Sequence, residues 1–254
     1  MSNVQVTVGQ ILKGNNGLYK IVEALKTNTV FKAAILGSTS QEIPRGARQF
    51  AVVKTETDES MKYVFNHVNP NNILLSNIDS AYPIVKVGDL GNMLREGYDD
   101  SRIQSLPTRA PEVWRGLGCF HSSDVWSIGA TLTYWLAEGV VFGTGDKIID
   151  DNTEAWCIAK IIRLVGPMPS PVNEAFRDEF SLARALEKEE YEDPETGEMK
   201  RFITVGTVRQ ELEKIEGVPR DLIEFIEYLL VIDHTKRPTA REVLRHPYLA
   251  DLEA

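Results

Sequence analysis

Residues 109–129 read RAPEVWRGLGCFHSSDVWSIG, and the second half of that stretch sets the architecture. Val125, Ile128, Gly129, Leu132 and Leu136 follow an i, i+3, i+4, i+7, i+11 spacing, the period of a helix with one buried face. Ser122, Ser123 and Asp124 stand before it as capping candidates, because short oxygen-bearing side chains satisfy the free N–H groups of a first helical turn. From Ser122 onward the period is helical.

Downstream that period returns. Ala155, Ile158, Ala159, Ile162 and Val165 form a second stripe, stopped by Gly166-Pro167. Leu222, Ile223, Phe225, Ile226, Leu229 and Leu230 form a third. Thr239-Ala240-Arg241-Glu242, behind Pro238, is a capping box that opens a last helix. Residues 187–201 are charged around Pro194-Glu195-Thr196-Gly197 and read as an exposed insertion.

Upstream the chain reads as strands. Tyr19–Leu25, Thr29–Leu36 and Phe50–Lys54 are rich in apolar and β-branched residues, and three in succession predict an antiparallel meander. Ile73–Leu75 and Ile84–Val87 are two shorter strands. Strands first and helices later give an α+β fold, with a reduced three-stranded antiparallel part over residues 1–57 and a mainly helical part over 58–254.

The 254 residues are 43% hydrophobic and 26% charged, an ordinary soluble composition. A net charge of -9 argues against nucleic acid and anionic membrane surfaces as main partners. Cys119 and Cys157 are far apart and form no CxxC, so they are expected as reduced free thiols without a metal cluster. The first residues lack the basic start and apolar run of a signal peptide. The most apolar window, 128–143, contains Glu138 and is too short to span a bilayer. The expectation is an intracellular protein, cytoplasmic or nuclear.

Tyr63–Leu75 reads YVFNHVNPNNILL, with Asn66, His67 and Asn69 displayed just before a strand, where loops often carry catalytic groups. Asp89-Leu90-Gly91 lies seventeen residues after Asn72. Ala110-Pro111-Glu112, Asp124-Val125-Trp126-Ser127-x-Gly129 and Arg237-Pro238 follow in that order. With Ala51-Val52-Val53-Lys54 upstream, this series resembles the protein kinase family. The resemblance covers about residues 19–54 and 62–249, and the wording Arg109–Glu112 looks like the serine/threonine group that includes cyclin-dependent and SR-protein kinases. It implies ATP and Mg2+ as ligands and a protein as substrate or partner. It places Lys54 at the nucleotide phosphates and Asn72 and Asp89 at the metal. It further implies that Glu112 pairs with Arg237 and that Asp124 braces the catalytic loop from below.

Other parts depart from that pattern. Aligned on Pro70 and Asn72, the family's His-Arg-Asp triplet falls on Phe65, Asn66 and His67, so His67 stands where the catalytic aspartate belongs. A neutral imidazole accepts a proton at pH 7 but supplies no fixed negative charge. His67 is therefore either a substitute base or a loop residue with no catalytic duty. Lys26-Thr27-Asn28-Thr29 holds no glycine where a glycine-rich phosphate lid is expected, and reads as a tight hairpin turn. Only ten residues separate Lys54 from Phe65. The family's helix glutamate, two strands, adenine hinge and a long helix belong in that interval, and two helices with two strands need roughly 30 residues. Lys54 is thus open to reading as a strand-end lysine or a nucleotide ligand. The missing helix would leave one face of the Val125–Leu136 helix uncovered and apolar. The reading is a kinase-like chain with phosphoryl transfer absent or very weak. The alternatives are an active serine/threonine kinase and a non-catalytic scaffold that binds partners.

Overall fold

Pairing of neighbouring strands in sequence builds the first part of the molecule, a computed structural model that describes residues 6–14, 17–26, 30–37, 50–54, 63–66, 68–79, 84–89, 93–139 and 141–250. β1 (Ile11–Gly14), β2 (Gly17–Lys26), β3 (Val30–Gly37) and β4 (Phe50–Lys54) form one antiparallel sheet in the order β1-β2-β3-β4. The sheet therefore has four strands where the sequence pattern predicts three. β1 is only four residues long and escapes a search for longer apolar runs. Lys26 pairs directly with Val30, so the glycine-free connection there is three residues long; those residues, 27–29, lie outside the described ones. Ile21 and Ala33 face each other across β2 and β3 and are fully buried, with Val6, Leu12 and Tyr19 packed around them.

The chain divides into two units, Met1–Met61 and Lys62–Ala254. The second begins with β5 (Tyr63–Val64) and continues through β6 (Ile73–Ser76), β7 (Ile84–Val87) and β8 (Leu94–Arg95). These make two small ribbons, β5 with β8 and β6 with β7. The helices follow: α1 (Pro111–Trp114), α2 (His121–Leu136), α3 (Thr153–Leu164) and α4 (Arg177–Leu186). The predicted exposed insertion is a hairpin of β9 (Glu190–Glu192) and β10 (Met199–Arg201). The chain ends in α5 (Val208–Glu213), α6 (Arg220–Leu229), α7 (Ala240–Val243) and α8 (Pro247–Ala250).

Helix α2 is the axis of this unit. It starts at His121, one residue before the predicted caps, so Ser123 acts from inside the first turn: its hydroxyl accepts the Phe120 N–H at 3.0 Å. Gly129 lets α6 approach: a Cβ there would sit 2.9 Å from the Leu230 side chain and 3.1 Å from that of Leu229. Trp114, Trp126, Trp156, Phe180 and Ile226 close the core, and α3 packs on α4. Thr239 and Glu242 cap α7 reciprocally, as their spacing predicts. On α2, Ile128 and Trp135 are 39% and 43% exposed, while Val125 is buried against Phe225 and Leu229. The larger apolar exposure lies on the β6–β7 ribbon, where Leu75 and Val85 pair across the strands and are 58% and 60% exposed. Cys119 and Cys157 are buried free thiols. Among the described residues, no helix is long and apolar enough to cross a membrane.

Candidate active site

The loop that links β5 to β6 is hung from α2. Both oxygens of Asp124 accept backbone N–H groups from it, Oδ2 from Phe65 at 3.0 Å and Oδ1 from Asn66 at 2.9 Å. Burial pushes the Asp124 carboxyl up to about 6, and the two N–H donors pull the other way. Asn66 is fully buried with φ at 66°, in the left-handed region that asparagine tolerates better than most residues. Its Oδ1 accepts from Cys119 Sγ, and its buried Nδ2 meets no hydrogen-bond partner among the described residues. Burial also raises the Cys119 thiol far above its ordinary value, so it stays a neutral donor here. In sequence Asn66 reads as one of three polar residues displayed before a strand, and nothing in the spacing announces its buried position. His67 itself lies outside the described residues, between buried Asn66 and buried Val68.

Beyond Val68 the loop tightens into a 3-10 turn, Pro70–Asn72. Asn69 caps it, with Oδ1 accepting the Asn71 N–H at 3.0 Å. The Asn72 carbonyl then accepts the Gly88 N–H at 2.7 Å, one step beyond the Ile73–Val87 pair. Register alone therefore sets Asn72 beside Gly88-Asp89 at one end of the β6–β7 ribbon. Asp89 is exposed and left-handed, with φ at 56°. The side chains of Asn72 and Asp89 carry an amide oxygen and a carboxylate, hard donors of the kind magnesium takes together with phosphate oxygens. Lys54 is the last residue of β4, in the other unit.

Glu112 and Arg237 meet in the core. Arg237 Nη1 donates to Glu112 Oε1 at 2.8 Å and Nη2 to Oε2 at 2.9 Å, with both side chains fully buried. Arg237 also donates to the carbonyls of Val231 and Ser122, and Ser123 Oγ donates to Glu112 Oε1 at 2.5 Å. This is the bidentate, fully hydrogen-bonded geometry that a buried ion pair requires.

Residues 102–110 are fixed by contacts that no spacing rule announces. Arg109 donates to the carbonyls of Arg102, Ile103 and Gln104. Burial, with Arg102 nearby, lowers its pKa to about 10, still fully charged at neutral pH. Gln104, at φ 72°, donates through Nε2 to Ser127 Oγ and accepts the Ala110 N–H. Arg102 grips Glu179 of α4 with two contacts, 2.7 and 2.6 Å, and lies 3.6 Å above the Phe176 ring. Between this segment, the Asn69–Asn71 turn and α2 is a cavity of about 220 Å³, and Ser105 is on its wall.

Residues 18–249 match the family description of the protein kinase domain. The chain belongs to the protein kinase family. It is 28% identical over 170 residues to the serine/threonine-protein kinase AFC2 of Arabidopsis thaliana, covering 65% of this chain and 38% of that one. It is 26% identical over 206 residues to the serine/threonine-protein kinase SKY1 of Saccharomyces cerevisiae, covering 78% and 26%. It is 28% identical over 215 residues to the dual specificity protein kinase CLK1 of Homo sapiens, covering 74% and 40%. The chain thus spans between 26% and 40% of the length of these curated relatives. The α+β architecture is that of a kinase domain, with a small antiparallel sheet and a helical remainder.

Proposed function

We propose that this kinase-family chain acts by binding a polypeptide through its helical unit, and that its phosphoryl transfer is absent or very weak. The observation that carries the reading is the link between the units. β4 ends at Lys54 and β5 begins at Tyr63, which leaves eight residues. Eight extended residues reach at most ~29 Å and have nothing over for a helix. A purine needs a hinge and a lysine needs a helix-borne glutamate to hold it; Glu56 and Glu59 fall in the link, but eight residues leave no length for such a helix or for a hinge. The substituted base position, His67, and the glycine-free turn after Lys26 point the same way.

ATP and Mg2+ are the ligands the family brings. Asn72 and Asp89 would hold the metal and Lys54 the phosphates; bound Mg2+ supplies charge neutralisation between phosphate oxygens. The carboxylate and amide at the ribbon end fit that task, while the short link does not fit the nucleotide base. A second reading, an active serine/threonine kinase, is favoured by the placement of Asn72 beside Gly88-Asp89 and by the intact Asp124 brace.

Titration with Mg-ATP, followed by thermal unfolding and by transfer of labelled phosphate to a protein substrate, separates the two. The expected result is no saturable stabilisation below millimolar ATP and no transfer above background. Saturable stabilisation together with transfer establishes the active kinase instead.

A further inference from the structure

Ser170 stands where two arginines meet. It belongs to Pro167-Met168-Pro169-Ser170-Pro171, a run with neither helix nor strand between α3 and α4. Met168 is buried and anchors the run, while Pro167, Pro169 and Ser170 are exposed. Arg184 of α4 donates from Nη2 to Ser170 Oγ at 3.2 Å, and Arg115, which closes α1, donates from Nε to the Ser170 carbonyl at 3.0 Å. The backbone secures the same contact from the other side: the Arg115 carbonyl accepts the N–H groups of Val172 and Asn173 at 2.8 and 3.3 Å. Gly116 permits this approach, because at its φ of 77° an added Cβ would stand 2.9 Å from that of Asn173 and 3.0 Å from the Phe176 ring.

The charges here depart from the habit of the chain. Among the described residues, every arginine from Arg163 to Arg237 has a carboxylate partner except Arg184. Arg115 likewise donates to a carbonyl and not to a carboxylate. In a chain of net charge -9, two guanidiniums thus converge on a neutral, exposed serine. A hydroxyl takes one neutral-acceptor bond from Arg184, whereas phosphate oxygens on the same atom would take charge-assisted bonds, often two from one guanidinium. Pro171 adds an independent signal. Of the 12 prolines, it is the one that follows a serine or threonine. It has no N–H and biases Ser170 toward extended backbone, so the acceptor sits in a segment with no ladder to break.

We propose that Ser170 is a phosphate-acceptor site for a separate, proline-directed protein kinase, and that Arg184 and Arg115 hold the phosphate once it is attached. In the transfer, Ser170 Oγ attacks the terminal phosphorus of a nucleoside triphosphate bound by that kinase. The Oγ–P bond forms and the bond from phosphorus to the bridging oxygen breaks. The nucleoside diphosphate leaves, and the hydroxyl proton passes to a base of the modifying enzyme. The new group carries about -1.5 to -2 charges at pH 7 and ties the link between α3 and α4 to α4 and to the end of α1. The site is independent of whether the chain itself transfers phosphate.

The test uses the full chain, a proline-directed kinase with Mg-ATP and, as reference, the free peptide of residues 165–176. Mass spectrometry locates the phosphate. The folded chain should be modified at Ser170 within ~tenfold of the peptide's rate, since an exposed segment is reached without unfolding, and Ser170→Ala should remove the signal. A peptide that is modified while the folded chain is not overturns the site; a peptide that is also ignored overturns the proline-directed assignment. Phosphorus NMR of the modified chain then reads the two arginines. The second phosphate pKa, ordinarily ~6, should lie lower by ~0.5 or more in the chain than in the phosphopeptide, because opposite charge favours the dianion. Arg184→Gln should remove most of that difference, and Arg115→Gln part of it. Equal values in chain and peptide, or a difference that survives both substitutions, overturn the holding role.

Discussion

Among the described residues of the sheet unit, Ile21 and Ala33 are the ones wholly shielded from water, whereas the helical unit closes over Trp114, Trp126, Trp156 and Phe180. Their ion pairs differ in the same sense. Lys32 and Glu23, on the sheet, stand 3.7 Å apart with side chains 39% and 58% exposed. Glu112 and Arg237 are bidentate and fully buried. The helical unit has kept the internal framework of a kinase domain. On the proposed reading, the sheet and the eight-residue link after it are where the chain is too short for the parts that handle a nucleotide. The contrast teaches that the residues that hold a family's scaffold together are different from those that would carry its chemistry.

The sharpest way to break that contrast is at the two ion pairs. Glu112→Gln leaves Arg237 buried without its counter-charge and should destabilise the helical unit by ~3–5 kcal/mol. Glu23→Gln should cost less than ~1 kcal/mol, because an exposed pair is screened by water. Chemical denaturation, followed by tryptophan fluorescence for the buried indoles, measures the first. If both substitutions cost the same, burial is not what distinguishes the units.

Ile21→Ala comes next, at ~2–5 kcal/mol for a large-to-small change in a core. The loss should be confined to the sheet. Hydrogen exchange should show the amides of β2 and β3 losing protection while α2 and α3 keep theirs. Loss of protection in both units would show that they fold as one.

What the sequence revealed of this contrast follows from the range of the forces involved. The stripes on α2, α3 and α6 were legible because burial of one helix face imposes a period, and Thr239 and Glu242 because capping is local. β7 matches its predicted bounds, Ile84–Val87, because four apolar or long residues run there between Pro83 and Gly88 in the sequence. β9 and β10 were missed: Glu190-Tyr191-Glu192 and Met199-Lys200-Arg201 carry charge rather than an apolar alternation, and Arg201 opposite Glu190 contributes to the pairing only across the hairpin. In the candidate site, motif spacing singled out Asn72, Asp89 and Asp124. Gln104, Arg102 and Arg109 were not, because a side chain that binds a distant carbonyl leaves no pattern in its own neighbourhood. Asn66 carried one faint signal, that asparagine is among the few residues at ease with a positive φ.

Asp124→Asn probes the brace and should cost ~1.5–3 kcal/mol, the value of hydrogen bonds to a charged acceptor. Its pH dependence gives a second reading. Burial raises this carboxyl from 3.8 to about 6. Between those values the folded chain holds a proton that the unfolded chain has released. The contribution of Asp124 to stability therefore falls as pH rises through that window and is constant above it. Asp124→Asn should remove this part of the slope and leave the remainder of the pH profile in place. A wild-type slope that survives the substitution would assign the titration to another group.

The smallest effect is expected at His67, although it is the most conspicuous substitution in the sequence. A general base contributes typically ~10²–10⁴-fold to a rate, but only when the reacting groups are already held in place. Here Lys54 and Tyr63 are separated by eight residues, and a carboxylate at position 67 adds neither an adenine hinge nor a partner for Lys54. His67→Asp should therefore give no measurable gain in transfer of labelled phosphate, with unfolding temperature and Mg-ATP response unchanged. A gain of ~10²-fold or more, the ordinary value of a base, would mean that a nucleotide was bound all along. The difference between the two units would then reduce to one side chain on the β5–β6 loop.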